Sequence, residues 1–214
     1  MEVAELAGTV VFAVSGVLAV AHRRLDWFGA VVVGVVTAVG GGTMRGLILG
    51  ATPVFWVEDQ GYLIAAVAGA IAGIVLVQAL AERSRRLDHG VSLADAAGLA
   101  LFAVVGASIA LELGHDGVIA VVCGMVTGVG GGVVRDLLAG QVPLILRGEI
   151  YATAALAGVA LYVALEQLTG LPTAVASAAG MAAVFALRLG AIYGGWRLPA
   201  LPGDRAAIAQ PPST

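Results

Sequence analysis

Two stretches of this sequence repeat one arrangement of groups able to handle an ion: Thr37-Ala-Val-Gly-Gly-Gly-Thr-Met-Arg45 and Thr127-Gly-Val-Gly-Gly-Gly-Val-Val-Arg135-Asp136. Each sets a hydroxyl ahead of three glycines and a guanidinium behind them, and the second adds a carboxylate. Glycine costs about 1 kcal/mol relative to alanine inside a helix. Gly40, Gly41 and Gly42, like Gly130, Gly131 and Gly132, are therefore expected to kink or unwind an apolar helix. Pro53 and Pro143 then prevent its continuation past Gly50 and Gly140. Backbone groups freed at such a break need protein or water. Facing a cavity, their carbonyls would coordinate a monovalent cation near Gly40, Gly130 and Asp136. The alternative use of the glycines is close helix packing.

The flanking side chains carry choices of their own. Thr37 and Thr127 either add hydroxyl ligands or cap a carbonyl of their own helix. Arg45 and Arg135 lie in apolar spans, where a central charge costs about 2.5 to 3.5 kcal/mol. They either pair and act as gate or lock elements, or snorkel to the nearer surface. Asp136 reads as the one acid within a span, opposite Gly46 in the other copy, and is either their partner or a negative charge that favours cations. Arg188 is a further gate candidate, with snorkelling the preferred reading.

Covalent chemistry finds no support. Gly128-x-Gly130 is followed by Val133 where a dinucleotide fingerprint needs glycine, and neither glycine triplet precedes a Lys-Ser/Thr pair. His22, His89 and His115 fall in loops without metal-ligand spacing, and Ser15, Ser108 and Ser177 have no histidine on their helices. Cys123 is single, so no disulfide forms. Neither an enzyme nor a cofactor is expected, and a formal net charge of -3 gives no reason to expect nucleic-acid binding.

The elements that must position these groups are membrane helices, because 60% of the 214 residues are hydrophobic and only 12% charged. Seven segments reach the length needed to cross about 30 Å of hydrocarbon: 4–21, 27–50, 61–81, 93–111, 117–140, 150–168 and 172–193. The first ends in Ala19-Val20-Ala21 like a signal peptide. Its acidic flank, Glu2 and Glu5, and its near copy at 94–111 keep it as a helix. With seven spans, Arg23, Arg24, Arg83, Arg85, Arg86, Arg147, Arg197 and Arg205 share one side, and the other side has no basic loop residue. That asymmetry places the carboxyl terminus in the cytoplasm and the amino terminus outside. The outer loops carry Glu58, Asp59, Glu112, Asp116 and Glu166, and the tail 194–214 reads as disordered.

Sliding the chain by 90 positions aligns Ala7–Pro53 with Ala97–Pro143 without a gap, and 21 of 47 pairs are identical. After a one-residue slip Tyr62 matches Tyr151. Each copy holds three spans, so the second enters the bilayer inverted, as in many transport proteins. The expected architecture is all-α: inverted three-helix units at 4–81 and 93–168, each with a broken second helix, and a seventh helix at 172–193.

Two three-helix units, each with Gly-Gly-Gly-x-x-Arg in its second helix, followed by a seventh helix, resemble the prokaryotic branch of the trimeric intracellular cation (TRIC) channel family. The resemblance covers about Ala4–Tyr193. It implies a homotrimer in the cell membrane of a prokaryote, in contact with membrane lipid. Each protomer would have its own pore for potassium and sodium, and the kinked helices would lie beside an hourglass path. The lysine-bearing lipid motif of the animal members has no counterpart in a chain without lysine. Related bacterial proteins are described as glycine transporters, which makes a secondary transporter of a small zwitterion such as glycine the alternative. Its substrate carboxylate would be held by broken-helix amino termini or by Arg45 and Arg135.

Overall fold

The structure, a computed structural model, describes residues 2–23, 25–80 and 84–199. Arg24, Arg83, Arg205 and the tail from 200 onward lie outside the described residues, as do the side chains of Arg85 and Arg86. Among the described residues eight α-helices follow in order: α1 Glu2–Ala19, α2 Trp27–Ile48, the single turn α3 Phe55–Glu58, α4 Gly61–Leu80, α5 Ser84–Glu112, α6 Gly117–Leu138, α7 Ala152–Leu168 and α8 Thr173–Gly194. A 3-10 turn, Leu144–Leu146, stands in the second copy where α3 stands in the first.

Seven of these helices coincide with the seven expected segments. Five (α2, α4, α5, α6 and α8) are long and apolar enough to cross a membrane, while α1 and α7 are apolar but shorter. α5 begins at Ser84, well before the expected 93, so His89 is helical rather than in a loop. The outer surface carries exposed Trp27, Phe28, Ile64, Ile71 and Val118, whereas much of the interior is alanine and glycine. An inside-out distribution of this kind is stable only with lipid as the solvent.

Equivalent helices of the two copies cross antiparallel. Between α1 and α5, the Phe12 and Phe102 rings meet at a tilt with centroids 5.1 Å apart; a Cβ on Gly98 would clash with Phe12, and one on Gly8 would stand only 3.3 Å from Phe102. Between α2 and α6, a Cβ on Gly41 would collide with the Thr127 carbonyl, and one on Gly131 with the Thr37 carbonyl. Contacts that recur when the copies are exchanged are those of a two-fold axis.

These crossings correct the expectation of broken helices. α2 is continuous through Gly40, Gly41 and Gly42, and α6 through Gly130, Gly131 and Gly132. The propensity cost of glycine is offset by the backbone approach it permits, and the carbonyls stay in the helical ladder rather than turning to a cation. The helices end where expected. Gly50 and Gly140 take φ of 64° and 63°, and the amides of Ala51 and Gln141 reach back to the carbonyls of Gly46 and Asp136, a Schellman cap that needs glycine.

Candidate functional site

The polar chemistry gathers in two clusters, one at the far end of each glycine helix. In the second copy Arg135 is 1% exposed and Asp95, on α5, is fully buried. Arg135 Nη1 donates to Asp95 Oδ1 at 2.7 Å and to Ser15 Oγ on α1 at 2.8 Å, and its Nε donates to Asp136 Oδ1 at 2.9 Å. Asp136 Oδ2 in turn accepts the Leu144 amide at 2.9 Å, tying the cluster to the 3-10 turn. The Tyr151 hydroxyl donates to Asp95 Oδ1 at 3.2 Å. Arg188 of α8 lies 4.0 Å from Asp95 Oδ2, donates to the Ile150 carbonyl at 2.9 Å, and stands 4.8 Å from the centre of the Tyr151 ring. Two arginines thus face two aspartates with most of their hydrogen bonds made, the condition under which buried charge is tolerable.

In the first copy Arg45 Nη1 lies 3.4 Å from Glu5 Oε1 on α1, and the Tyr62 hydroxyl donates to Glu5 Oε2 at 2.9 Å. The Phe55 ring covers the guanidinium at 5.8 Å and packs edge-on against Tyr62. The repeat register explains both clusters. Glu5 matches Asp95 and Arg45 matches Arg135 at the same offset of 90, and Tyr62 matches Tyr151 after the slip.

The comparisons with known proteins bear on the same elements. The family model described as "Glycine transporter" matches residues 2–78 and 92–167, one stretch in each copy. The UPF0126 inner membrane protein YadS of Escherichia coli is 43% identical over 201 residues, covering 94% of this chain and 95% of its own length. Among solved structures, the TRIC trimeric intracellular cation channel orthologue from Rhodobacter sphaeroides superposes with a TM-score of 0.84. It shares 43% identity and covers 91% of this chain and 97% of that one. A second TRIC cation channel, solved to explain conductance, gives a TM-score of 0.81 at 35% identity, covering 94% of this chain and 97% of that one. The chain belongs to the prokaryotic TRIC channel family. It is a multi-pass membrane protein whose relatives are channels or membrane proteins rather than members of enzyme families.

In this TRIC-family chain a cavity of 410 Å³ opens among the ends of α1, α5 and α6 and the loop after α6. His22, Arg23 and Arg147 line it near the surface, and Asp95, Arg135 and Asp136 line it in depth. The remaining predicted residues lie away from this water-accessible space. Thr37 and Thr127 are fully buried, and their hydroxyls donate to the carbonyls of Val33 and Cys123 at 2.6 Å each. Gly130 packs against Met44 and Gly41, and Gly40 is half-buried with Val134 its nearest side chain. Arg188 corrects the snorkelling reading, since it is 1% exposed and turned inward to Asp95 and Tyr151. Asp136 is not the one acid within the helices either. Asp95 and Glu5 were legible as such, because carrying the repeat two residues upstream of Ala7 and Ala97 sets acid on acid.

Proposed function

We propose that this chain is the protomer of a cation channel that conducts potassium, and also sodium, along a path inside each protomer. Three protomers assemble in a prokaryotic cell membrane with lipid around them. The observation that carries this reading is the cavity reaching from the surface to Asp95, Arg135 and Asp136, in a chain whose fold matches solved TRIC channels. Residues 4–81 and 93–168 act as the two inverted units, and 172–193 as the added helix. Arg23 and Arg147 line one cavity, and the backbone of Arg197 bridges to that of Glu149, two residues after Arg147. Clustering of these arginines on one surface supports a cytoplasmic carboxyl terminus and an external amino terminus.

Arg135 is the lock. A guanidinium beside a cation path raises its barrier, and here it also occupies the carboxylates a cation would use. When Arg135 leaves Asp95 and Asp136, two carboxylates and the Ser15 hydroxyl face the cavity, and the barrier becomes an attractive site. Arg45 and Glu5 perform the same exchange at the other end, and Arg188 holds Asp95 in place throughout.

The description of the matched family favours a second reading, a secondary transporter of a small zwitterion such as glycine. Such a site needs free helix amino termini or an uncommitted arginine for the substrate carboxylate. The unbroken α2 and α6, and the engagement of Arg45 and Arg135 by carboxylates, support the channel instead. Purified protein in planar bilayers under a potassium chloride gradient is expected to show discrete current steps reversing near the potassium potential, little changed by sodium. Absence of steps, with labelled glycine accumulating in liposomes, would replace the channel by the transporter.

A further inference from the structure

Past α8 the chain turns back toward the denser arginine cluster. Gly195 takes a φ of 64° at the helix end, and residues 196–199 run beside the loop that joins the 3-10 turn to α7. The Leu198 amide donates to the Gly148 carbonyl at 2.7 Å, and Arg197 and Glu149 face each other in an isolated antiparallel bridge. The Trp196 indole lies on Gly190 and Gly194 of α8, so close that a Cβ on either glycine would come within 2.7 Å of the ring. This strap is thin. Trp196 and Leu198 are 51% and 45% exposed, and so short a ladder opens locally at little cost.

What the strap holds is the loop that places Arg188. Arg188 Nη1 donates to the Ile150 carbonyl at 2.9 Å and lies 3.8 Å from Glu149 Oε2, both on that loop. On its other side Nη2 stands 4.0 Å from Asp95 Oδ2, about 1 Å too far for a charge-assisted hydrogen bond. Asp95 Oδ2 and Arg188 Nε are both buried and have no hydrogen-bond partner among the described residues. Leaving either atom unpaired is costly. Nε and Nη2 form one edge of the guanidinium fork, so a small advance of Arg188 would set that edge on Asp95 and satisfy both.

We propose that the strap 196–199 restrains opening: by fixing the loop at 148–150 it keeps Arg188 short of Asp95 Oδ2 and leaves that carboxylate to Arg135. The inference rests on the reading of Arg135 as the lock. When the strap lifts, Arg188 exchanges the loop for Asp95. The carboxylate's charge is then divided between two guanidiniums that repel each other, and Arg135 leaves more readily. Trp196 is thus a positioning residue that acts through Arg188. The first unit has no such control, because α8 and the strap both lie outside the duplication.

Two variants of the full-length protein lift the strap from opposite sides. Trp196→Ala removes the indole, and Gly190→Ala fills its seat with a methyl group on a helix that alanine suits. In planar bilayers each should raise open probability about threefold or more, and each should lose that effect in an Arg188→Gln background. Thermal midpoints in detergent give the same double-mutant cycle without currents, and there too the strap and Arg188 changes should be non-additive. Wild-type open probability in both strap variants, or an equal rise with and without Arg188, would overturn the proposal. Additive midpoints would overturn it whatever the currents do. Coupled midpoints with no current in any variant, wild type included, would sink the channel reading and leave the strap's hold on Arg188 standing.

Discussion

Arg45 and Arg135 hold the same place in the two halves of a duplicated sequence, yet their surroundings have diverged. Arg45 meets one carboxylate at 3.4 Å and an aromatic ring, and its partner Glu5 is 12% exposed. Arg135 makes three hydrogen bonds of 2.7 to 2.9 Å to three side chains, and its partner Asp95 is further held by Tyr151 and Arg188. Three differences account for this: Ser15 reaches Arg135, whereas its repeat counterpart on the Arg45 side is Val105, and two others come from Asp136 and Arg188. Asp136 stands where the first copy has Gly46, and α8, outside the duplication, contributes Arg188. A duplicated scaffold thus carries a looser ion pair at one end and a denser one at the other. Arg135 should therefore control opening, and Arg45 should adjust it.

The comparison can be broken most forcefully by removing one partner from each cluster. Asp95→Ala leaves Arg135 and Arg188 short of a counter-charge in the core and should cost about 3 to 5 kcal/mol, read as a lowered thermal midpoint in detergent. Glu5→Ala, in the looser and wetter cluster, should cost well under half of that. Equal losses would mean that the clusters are equivalent after all.

The glycines allow a second contrast, of intermediate size. Gly131→Ala forces a methyl group into the Thr37 carbonyl and should destabilise by about 1 to 3 kcal/mol, as overpacking does. Gly40→Ala meets nothing closer than 3.8 Å and should stabilise by up to about 1 kcal/mol through helix propensity. If Gly40→Ala instead abolished currents in a stable protein, an unwound segment at the glycines would return to consideration. The smallest contrast is Tyr151→Phe against Tyr62→Phe. Each removes one hydrogen bond worth about 1 kcal/mol, with the larger loss expected at the fully buried Asp95.

What the sequence made legible was the frame. The seven apolar segments, the duplication and the stops at Gly50 and Gly140 follow from hydropathy, register and the backbone needs of glycine, all of them local properties. The state of the glycine helices was not local. Propensity favours a break at Gly40, Gly41 and Gly42, but the outcome depends on another helix lying close enough for Gly41 to meet Thr127. The arginine partners were half legible. Asp136 adjoins Arg135 in sequence, while Glu5 and Asp95 are 40 residues from their arginines and emerge only when the repeat register is extended. Arg188 was misread because its position near a helix end suggested the surface, and only packing against Asp95 and Tyr151 turns it inward.

The lock proposed at Arg135 is open to direct measurement. Single-channel recording in potassium chloride of Arg135→Gln beside Arg45→Gln, each eluting as the wild type does, measures it. A marked rise in open probability is expected for Arg135→Gln and a smaller one for Arg45→Gln. Wild-type gating in Arg135→Gln, or a dominant effect at Arg45, would contradict it.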